Sequence, residues 1–313
     1  MLRELLNASP DLWISDVETG FIPRLTCEFA AYGALDAYEN FARLAAALAR
    51  TRAFWHWQRK GVVPEPRRWW ALCPRHDWPG VLEGLYRTVW EQEIGEPRRP
   101  WEDVVWGDKT PHYVAHVPLL ADLFPRARFV HIVRDPRDCA SSAEKAWGNS
   151  PLRTAQEWTD QVTAGRAAGA MLGPARYHEL RYEDLLADVQ GTLRGLFDFL
   201  GVAVPAESGR FLRVPENVGA ARGERQVVVA NREKWRRDMS PALRRRVEAV
   251  CGATMVAVGY AREYPDTAPR RVGALAMRLY RLRDAGRQVA VRRRELGSWW
   301  RSVRFLFTRR ERV

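Results

Sequence analysis

A strand that runs directly into a capped helix constrains this chain more than any other feature. Residues 128–133 read RFVHIV, a short β-branched and aromatic run that is typical of a strand buried on both faces. After Arg134, the next two residues are Asp135 and Pro136. These two residue types favour the N-cap and the first position of a helix. The sequence therefore predicts a strand whose exit faces the N-terminus of a helix.

This junction has the chemistry of a phosphate site. A helix N-terminus presents free N–H groups and the positive end of a dipole. Arg134 lies at the strand exit and offers a fork of donors that can bind a phosphate through two hydrogen bonds. Ser142 follows Asp135 by about two helical turns, so its hydroxyl is expected on the same side. The alternative is an ordinary Asp-Pro helix cap with an exposed arginine.

The segment from Gly107 to Ser142 resembles the 3′-phosphate-binding region of sulfotransferases that use 3′-phosphoadenosine-5′-phosphosulfate. The resemblance is carried by Asp-Lys-Thr-Pro, the predicted strand, Arg-Asp-Pro-Arg-Asp and the Ser-Ser pair. It implies that Arg134 and Ser142 hold the 3′-phosphate of this co-substrate. The segment at 176–185, RYHELRYEDL, resembles the family's Tyr-Glu-Asp-Leu region and places Tyr182 near the adenine. A tyrosine packed in the core would give the same pattern.

Within this family, Glu18 to Arg24 resembles the Glu-Thr-x-x-Ile-Pro-Arg segment of the protein-tyrosine sulfotransferase branch. The resemblance implies that Glu18 is the general base, that Lys109 contacts the transferring sulfonate and that Arg24 contacts the acceptor. Salt-bridge or solvated roles for Glu18 and Lys109 stay open. Gly20 stands where that branch has an arginine. The acceptor is therefore a hydroxyl compound of open class: a small molecule, a glycan or a tyrosine peptide.

The phosphate loop that opens such domains has no counterpart in this sequence. Residues 1–24 resemble the helix and turn that follow the loop, and no G-x-x-x-x-G-K-[ST] pattern occurs. We expect the natural protein to be longer by about 15 to 30 residues, the length of a strand plus a loop. The alternative is a catalytically inactive remnant that serves as a membrane- or partner-binding protein.

Predicted strands alternate with predicted helices along residues 1–266, which resemble the family as far as about residue 262. This alternation indicates an α/β fold, a three-layer parallel sheet flanked by helices. The resemblance implies that the sheet is of the P-loop-NTPase-like sulfotransferase kind. Strands are predicted near Val104, Phe129 and Tyr177, and helices at Leu35–Arg50, Val81–Glu93, Pro111–Leu123, Pro136–Trp147 and Val189–Leu200.

The remaining residues, 267–313, form a basic tail. From Arg270 onward there are fourteen arginines and only three carboxylates, which is +11 of the net charge of +12. Apolar residues recur among them at helical spacing from Leu275 to Phe307. A basic amphipathic helix of this kind is typical of attachment to an anionic membrane surface. Packing on its own domain, binding to a partner and a solvated basic end are the alternatives.

Composition excludes several other classes. The four cysteines have no C-x-x-C spacing, and the six histidines show no ligand pattern, so we expect neither a metal nor a disulfide framework and place the protein in the cytoplasm. No run of 18 apolar residues is present. The basic residues are confined to the tail, so a nucleic-acid partner is not expected. A tryptophan-rich stretch at 55–78 fits either an aromatic acceptor pocket or helix packing.

Overall fold

A computed structural model describes residues 1–96, 99–205 and 231–288. These residues divide into two compact units. The described part of the first unit comprises residues 1–133 and 164–205, and that of the second comprises residues 134–163 and 231–288. Each unit is considered by itself.

The strands described in the first unit form two parallel pairs. Strand β1 (Leu12–Ile14) pairs with β2 (Val105–Gly107), with Ile14 opposite Gly107. Strand β3 (Phe129–Val133) pairs with β4 (Tyr177–Arg181). The α/β class with parallel strands is confirmed, as are the strands predicted near Val104, Phe129 and Tyr177. Strand β1 lies in a segment that the sequence interpretation assigned to a helix and turn, because three residues are too few to show a period of two.

Most of the helices begin at a local sequence signal. Proline occupies the first turn of many of them, where its missing N–H costs no hydrogen bond. The first unit contains α1 Leu2–Leu6, α2 Ile22–Glu28, α3 Tyr38–Leu48, α4 Arg52–Arg59, α5 Pro66–Leu72, α6 Trp78–Ile94, α7 Val117–Leu123, α10 Tyr182–Ala187, α11 Val189–Leu200 and 3₁₀ turns at Phe29–Tyr32, Trp101–Asp103 and Pro111–His116. The second contains α8 Pro136–Trp147, α12 Trp235–Asp238, α13 Pro241–Ala257 and α14 over residues 274–288, while α9 Pro151–Leu172 contributes to both.

The tryptophan-rich stretch forms the main core of the first unit. Trp57, Trp69 and Trp78 are fully buried. The indole of Trp69 donates to the carbonyl oxygen of Val81 (2.8 Å), and that of Trp78 donates to the hydroxyl of Thr26 (2.9 Å). Buried indoles stabilise a core through their large apolar area when the N–H finds a partner. The helix-packing interpretation of these three residues is confirmed.

A smaller core joins the start of the chain to a later helix of the same unit. Leu5 of α1 is buried with Leu193, Leu196 and Phe197 of α11. The leucine spacing of both helices places these residues on single apolar stripes. In the described part of the chain, no helix is both long enough and apolar enough to cross a bilayer.

Candidate active site

The first unit brings Glu18 and Lys109 together at one edge of the β1–β2 pair. The strands are parallel, so their carboxyl ends lie at the same edge, which is where α/β folds place ligands. Glu18 follows β1 by four residues and Lys109 follows β2 by two. The Lys109 ammonium donates to Glu18 Oε1 in an ion pair, and both side chains remain about half-exposed. A carboxylate and an ammonium thus face solvent within reach of one ligand.

A buried hydrogen-bond network lies directly behind this pair. The Thr19 hydroxyl donates to Asp108 Oδ2 (2.6 Å), and the Thr110 hydroxyl donates to Asp108 Oδ1 (2.6 Å). The hydroxyl of Tyr86 also donates to Asp108. Tyr113 donates its hydroxyl to Thr19 (2.6 Å), since the Thr19 proton is already engaged by Asp108. Thr19 and Asp108 adjoin Glu18 and Lys109 in the chain, so the network fixes the backbone that carries the pair.

The same network is electrostatically insulated from solvent. Desolvation raises the pKa of Asp108 above its ordinary value, against the lowering effect of its hydrogen-bond donors. Burial, with the nearby Asp108 carboxylate, raises the pKa of Tyr86 and of Tyr113 well above the usual phenol range. Both phenols therefore stay protonated and act as donors at neutral pH.

Two further basic residues lie on helices of the first unit. Arg24 is exposed on α2, and in the described chain its side chain has no hydrogen-bond or ion-pair partner. His56 on α4 is within electrostatic reach of Glu18. Burial is the first cause of the lowered pKa of His56, and the charges of Arg52 and Arg59 add to it, while Glu18 acts in the opposite direction. The sequence analysis did not single out His56, because this residue is distant from Glu18 along the chain and no local pattern indicates their proximity.

In the second unit, the helix predicted at the Arg-Asp-Pro motif begins where the sequence indicates. Helix α8 begins at Pro136, and Asp135 caps it by accepting a hydrogen bond from the backbone N–H of Arg137 (2.9 Å). The Arg134 guanidinium donates to the carbonyl oxygen of Asn231 (3.1 Å) and lies 3.8 Å from Asp138 Oδ2. Ser142 is partly buried on α8. Arg134 thus precedes the N-cap of α8 by one residue, and Ser142 lies in the second turn of the helix.

Lys234 adds a second cation near Arg134. It is partly buried, and in the described chain its ammonium has no hydrogen-bond or ion-pair partner. Burial lowers the pKa of Lys234, and the neighbouring charge of Arg134 lowers it further. Two cations that raise each other's electrostatic energy favour a bound anion between them.

The second arginine of Arg-Asp-Pro-Arg-Asp has a structural position. Arg137 is buried, with its guanidinium 2.6 Å from Asp135 Oδ2 and 2.7 Å from Glu248 Oε1. The same group stacks on the Trp235 ring, 3.8 Å from the centroid. Glu248 is fully buried and also accepts from the backbone N–H groups of Glu263 and Tyr264. Arg137 thus ties α8 to α12 and α13.

Tyr182 is the first residue of α10, immediately after β4, and it is partly buried. The family resemblance also places the segment from Gly219 to Asn231 over the donor, and of this segment only Asn231 is among the described residues. Within the described ranges, no group of three or more His, Cys, Asp or Glu side chains could hold a metal ion.

Several known proteins share sequence or fold with this chain. A family model described as "Sulfotransferase family" matches residues 1–206. Omega-hydroxy-beta-dihydromenaquinone-9 sulfotransferase Stf3 of Mycobacterium tuberculosis is 29% identical over 108 residues, which are 30% of this chain and 28% of that protein. Human carbohydrate sulfotransferase 2 is 26% identical over 196 residues, 46% of this chain and 37% of its own. Rat sulfotransferase 2A1 is 31% identical over 140 residues, 36% of this chain and 47% of its own.

These alignments each span less than half the length of the relative. Among solved structures, the sulfotransferase domain from the curacin biosynthetic pathway superposes with a TM-score of 0.50 at 16% identity, over 83% of this chain and 93% of that domain. This similarity concerns the fold.

Proposed function

The chain belongs to the sulfotransferase family, and from this premise we propose that it transfers a sulfonate group from 3′-phosphoadenosine-5′-phosphosulfate to a hydroxyl acceptor. The observation that carries the proposal is the Glu18–Lys109 ion pair, which is half-exposed at the carboxyl ends of the paired strands β1 and β2. Buried hydrogen bonds to Asp108 fix the backbone beside this pair. Sulfonate transfer needs a base on the acceptor side and a cation on the leaving-group side.

In the proposed reaction, the Glu18 carboxylate takes the proton of the acceptor hydroxyl. The acceptor oxygen forms a bond to sulfur while the bond between sulfur and the bridging phosphate oxygen breaks. The Lys109 ammonium stabilises the negative charge that develops on that bridging oxygen. The products are the sulfated acceptor, 3′,5′-adenosine bisphosphate and a protonated Glu18. Closely placed reacting groups supply much of the rate in such in-line transfers.

We assign the 3′-phosphate of the co-substrate to Arg134, Ser142 and Lys234. Arg134 has the planar fork that suits two phosphate oxygens, and Lys234 brings a second positive charge that has no carboxylate within ion-pair distance in the described chain. Tyr182 is assigned to the adenine on the family resemblance. These assignments give the two arginines of the motif different roles: the partly exposed Arg134 binds phosphate, and the buried Arg137 is structural.

For the acceptor, we propose an uncharged alcohol or a glycan in preference to an acidic tyrosine peptide. Gly20 leaves out a cation that an acidic peptide would contact, although Arg24 is exposed and available. Two of the relatives act, by their names, on a hydroxylated menaquinone and on carbohydrate. We further propose a cytoplasmic protein that attaches peripherally to membranes through its arginine-rich C-terminal region.

Calorimetric titration with 3′,5′-adenosine bisphosphate tests the donor site. We expect binding by the full chain and its loss in Arg134→Ala and Lys234→Ala, with retention in Arg126→Ala, an exposed arginine of the first unit. Transfer from radiolabelled co-substrate to a panel of lipid alcohols, glycans and tyrosine peptides tests the reaction. Glu18→Gln should lower transfer by about 10²- to 10⁴-fold while the bisphosphate still binds. An absence of both binding and transfer would instead support the inactive remnant.

A further inference from the structure

The second unit contains a groove with an apolar floor. Most of the residues that line it are distant from Arg134 along the sequence. The groove has a volume of about 350 Å³ and lies between α13, α14 and the segment that joins them. Its floor is formed by Leu152, Ala249, Val250, Val272, Ala276 and Tyr280. Such a surface suits the apolar part of an amphiphile.

Arginines form the rim of this groove. Arg245, Arg246, Arg270 and Arg271 line it. A neighbouring cavity of about 170 Å³ shares Arg246 and adds Arg283, Arg287 and the single carboxylate Glu144.

The rim is not neutralised by the surrounding protein. Arg271 lies 3.7 Å from Asp160 in an exposed pair, which is a weak interaction. In the described chain, Arg245, Arg246 and Arg270 have no carboxylate within ion-pair distance. The groove is therefore a basic site with unused donors.

Helix α14 is fixed to its own unit on one side. Asp284 is buried and accepts hydrogen bonds from the backbone N–H of Ser150 (3.0 Å) and from Arg153 Nε (2.6 Å). Val272, just before the helix, donates its N–H to Gln156 (2.9 Å). Of the roles expected for the tail, packing on its own domain therefore holds for α14. Residues 289–313, with the apolar positions from Val289 on, lie outside the described residues.

The opposite side of α14 is apolar and exposed. Leu275, Leu279 and Leu282 are 72%, 58% and 71% exposed. Their spacing of four and three residues places them on one helical face. Exposed arginines at 278, 281 and 283 are interspersed with them. Apolar side chains between cations are the pattern that inserts into the headgroup layer of an anionic bilayer.

We propose that the groove and the leucine face of α14 form one membrane-docking surface that receives the headgroup of an anionic phospholipid. The arginines of the rim bind the phosphate, the apolar floor accepts the start of the acyl chains, and the three leucines enter the bilayer surface. This proposal deepens the peripheral attachment proposed above, by naming its site, and it is independent of sulfonate transfer.

Co-sedimentation of the full chain with phosphatidylcholine vesicles, with and without phosphatidylglycerol, tests the proposal. The groove variant carries Arg246→Gln and Arg270→Gln, and the leucine variant carries Leu279→Ser and Leu282→Ser. Both change exposed or groove-lining side chains, and thermal melts check that they fold. The matched control carries Arg50→Gln and Arg126→Gln, which remove the same charge from exposed sites in the first unit.

We expect the unmodified chain to bind vesicles only when they contain phosphatidylglycerol. The groove variant should bind about 30-fold more weakly, since each basic residue at an anionic surface contributes roughly a fivefold factor, and the control should stay within about twofold of the unmodified chain. The leucine variant should also bind more weakly. Three results would overturn the proposal: no lipid-dependent binding by the unmodified chain, an equal loss in the control, or full binding by the groove variant, which would assign binding to residues beyond α14.

Discussion

Replacing Thr19 by valine should separate the catalytic pair from the network that positions it. Valine keeps the shape of threonine but cannot donate to Asp108 or accept from Tyr113, and both contacts are 2.6 Å long. A hydrogen bond to a charged group contributes about 1.5–3 kcal/mol, and an unsatisfied buried group costs about 1–3 kcal/mol. Asp108 keeps its bonds from Thr110 and Tyr86. We therefore expect a loss of roughly 2–4 kcal/mol in the free energy of unfolding.

Urea denaturation measures this loss, and the slope of the transition shows whether the compactness of either state has changed. Thr159→Val is the matched control, because the Thr159 hydroxyl donates only to the carbonyl oxygen of Ala155 within α9 (2.9 Å). That change should cost under about 1 kcal/mol. In the Thr19→Val protein, transfer activity should also fall while 3′,5′-adenosine bisphosphate still binds. A stability loss no larger than that of the control would refute the positioning role of the network.

Three further predictions follow from the charged and titratable groups. Burial raises the folded-state pKa of Asp108 above 3.8, so the unmodified protein should lose stability relative to Asp108→Asn as the pH rises above about 4. Parallel curves of unfolding free energy against pH for the two proteins would contradict this. Burial raises the pKa of Cys73 to about 12, so iodoacetamide at pH 8 should alkylate the exposed Cys27 far faster, as peptide mass mapping would show. Arg137→Ala should lower the free energy of unfolding by about 3–5 kcal/mol, because it leaves two buried carboxylates without their cation. The exposed control Arg237→Ala should lower it by under about 1 kcal/mol in the same urea titration.

Local sequence signals were sufficient for the elements that begin or end on a special residue. Helix α8 has the predicted bounds, Pro136–Trp147, because Asp135 caps its start and Gly148 ends it in the left-handed region at φ 70°. Helix α11 likewise has the predicted bounds, between the Asp188 cap and Gly201. These signals act over one or two turns and need no distant partner. The family resemblance also rested on such short, contiguous segments.

The sequence by itself determined the α/β class, these helices and the candidate residues Glu18, Lys109 and Arg134. Only the tertiary structure decided which of them meet. Glu18 and Lys109 are 91 residues apart and pair because the parallel register of β1 and β2 aligns the strand ends. The same structure buries Arg137 against Glu248 while Arg134, three residues earlier, stays near the surface. Strand register and desolvation depend on partners that are distant in sequence, so no local pattern of residues encodes them.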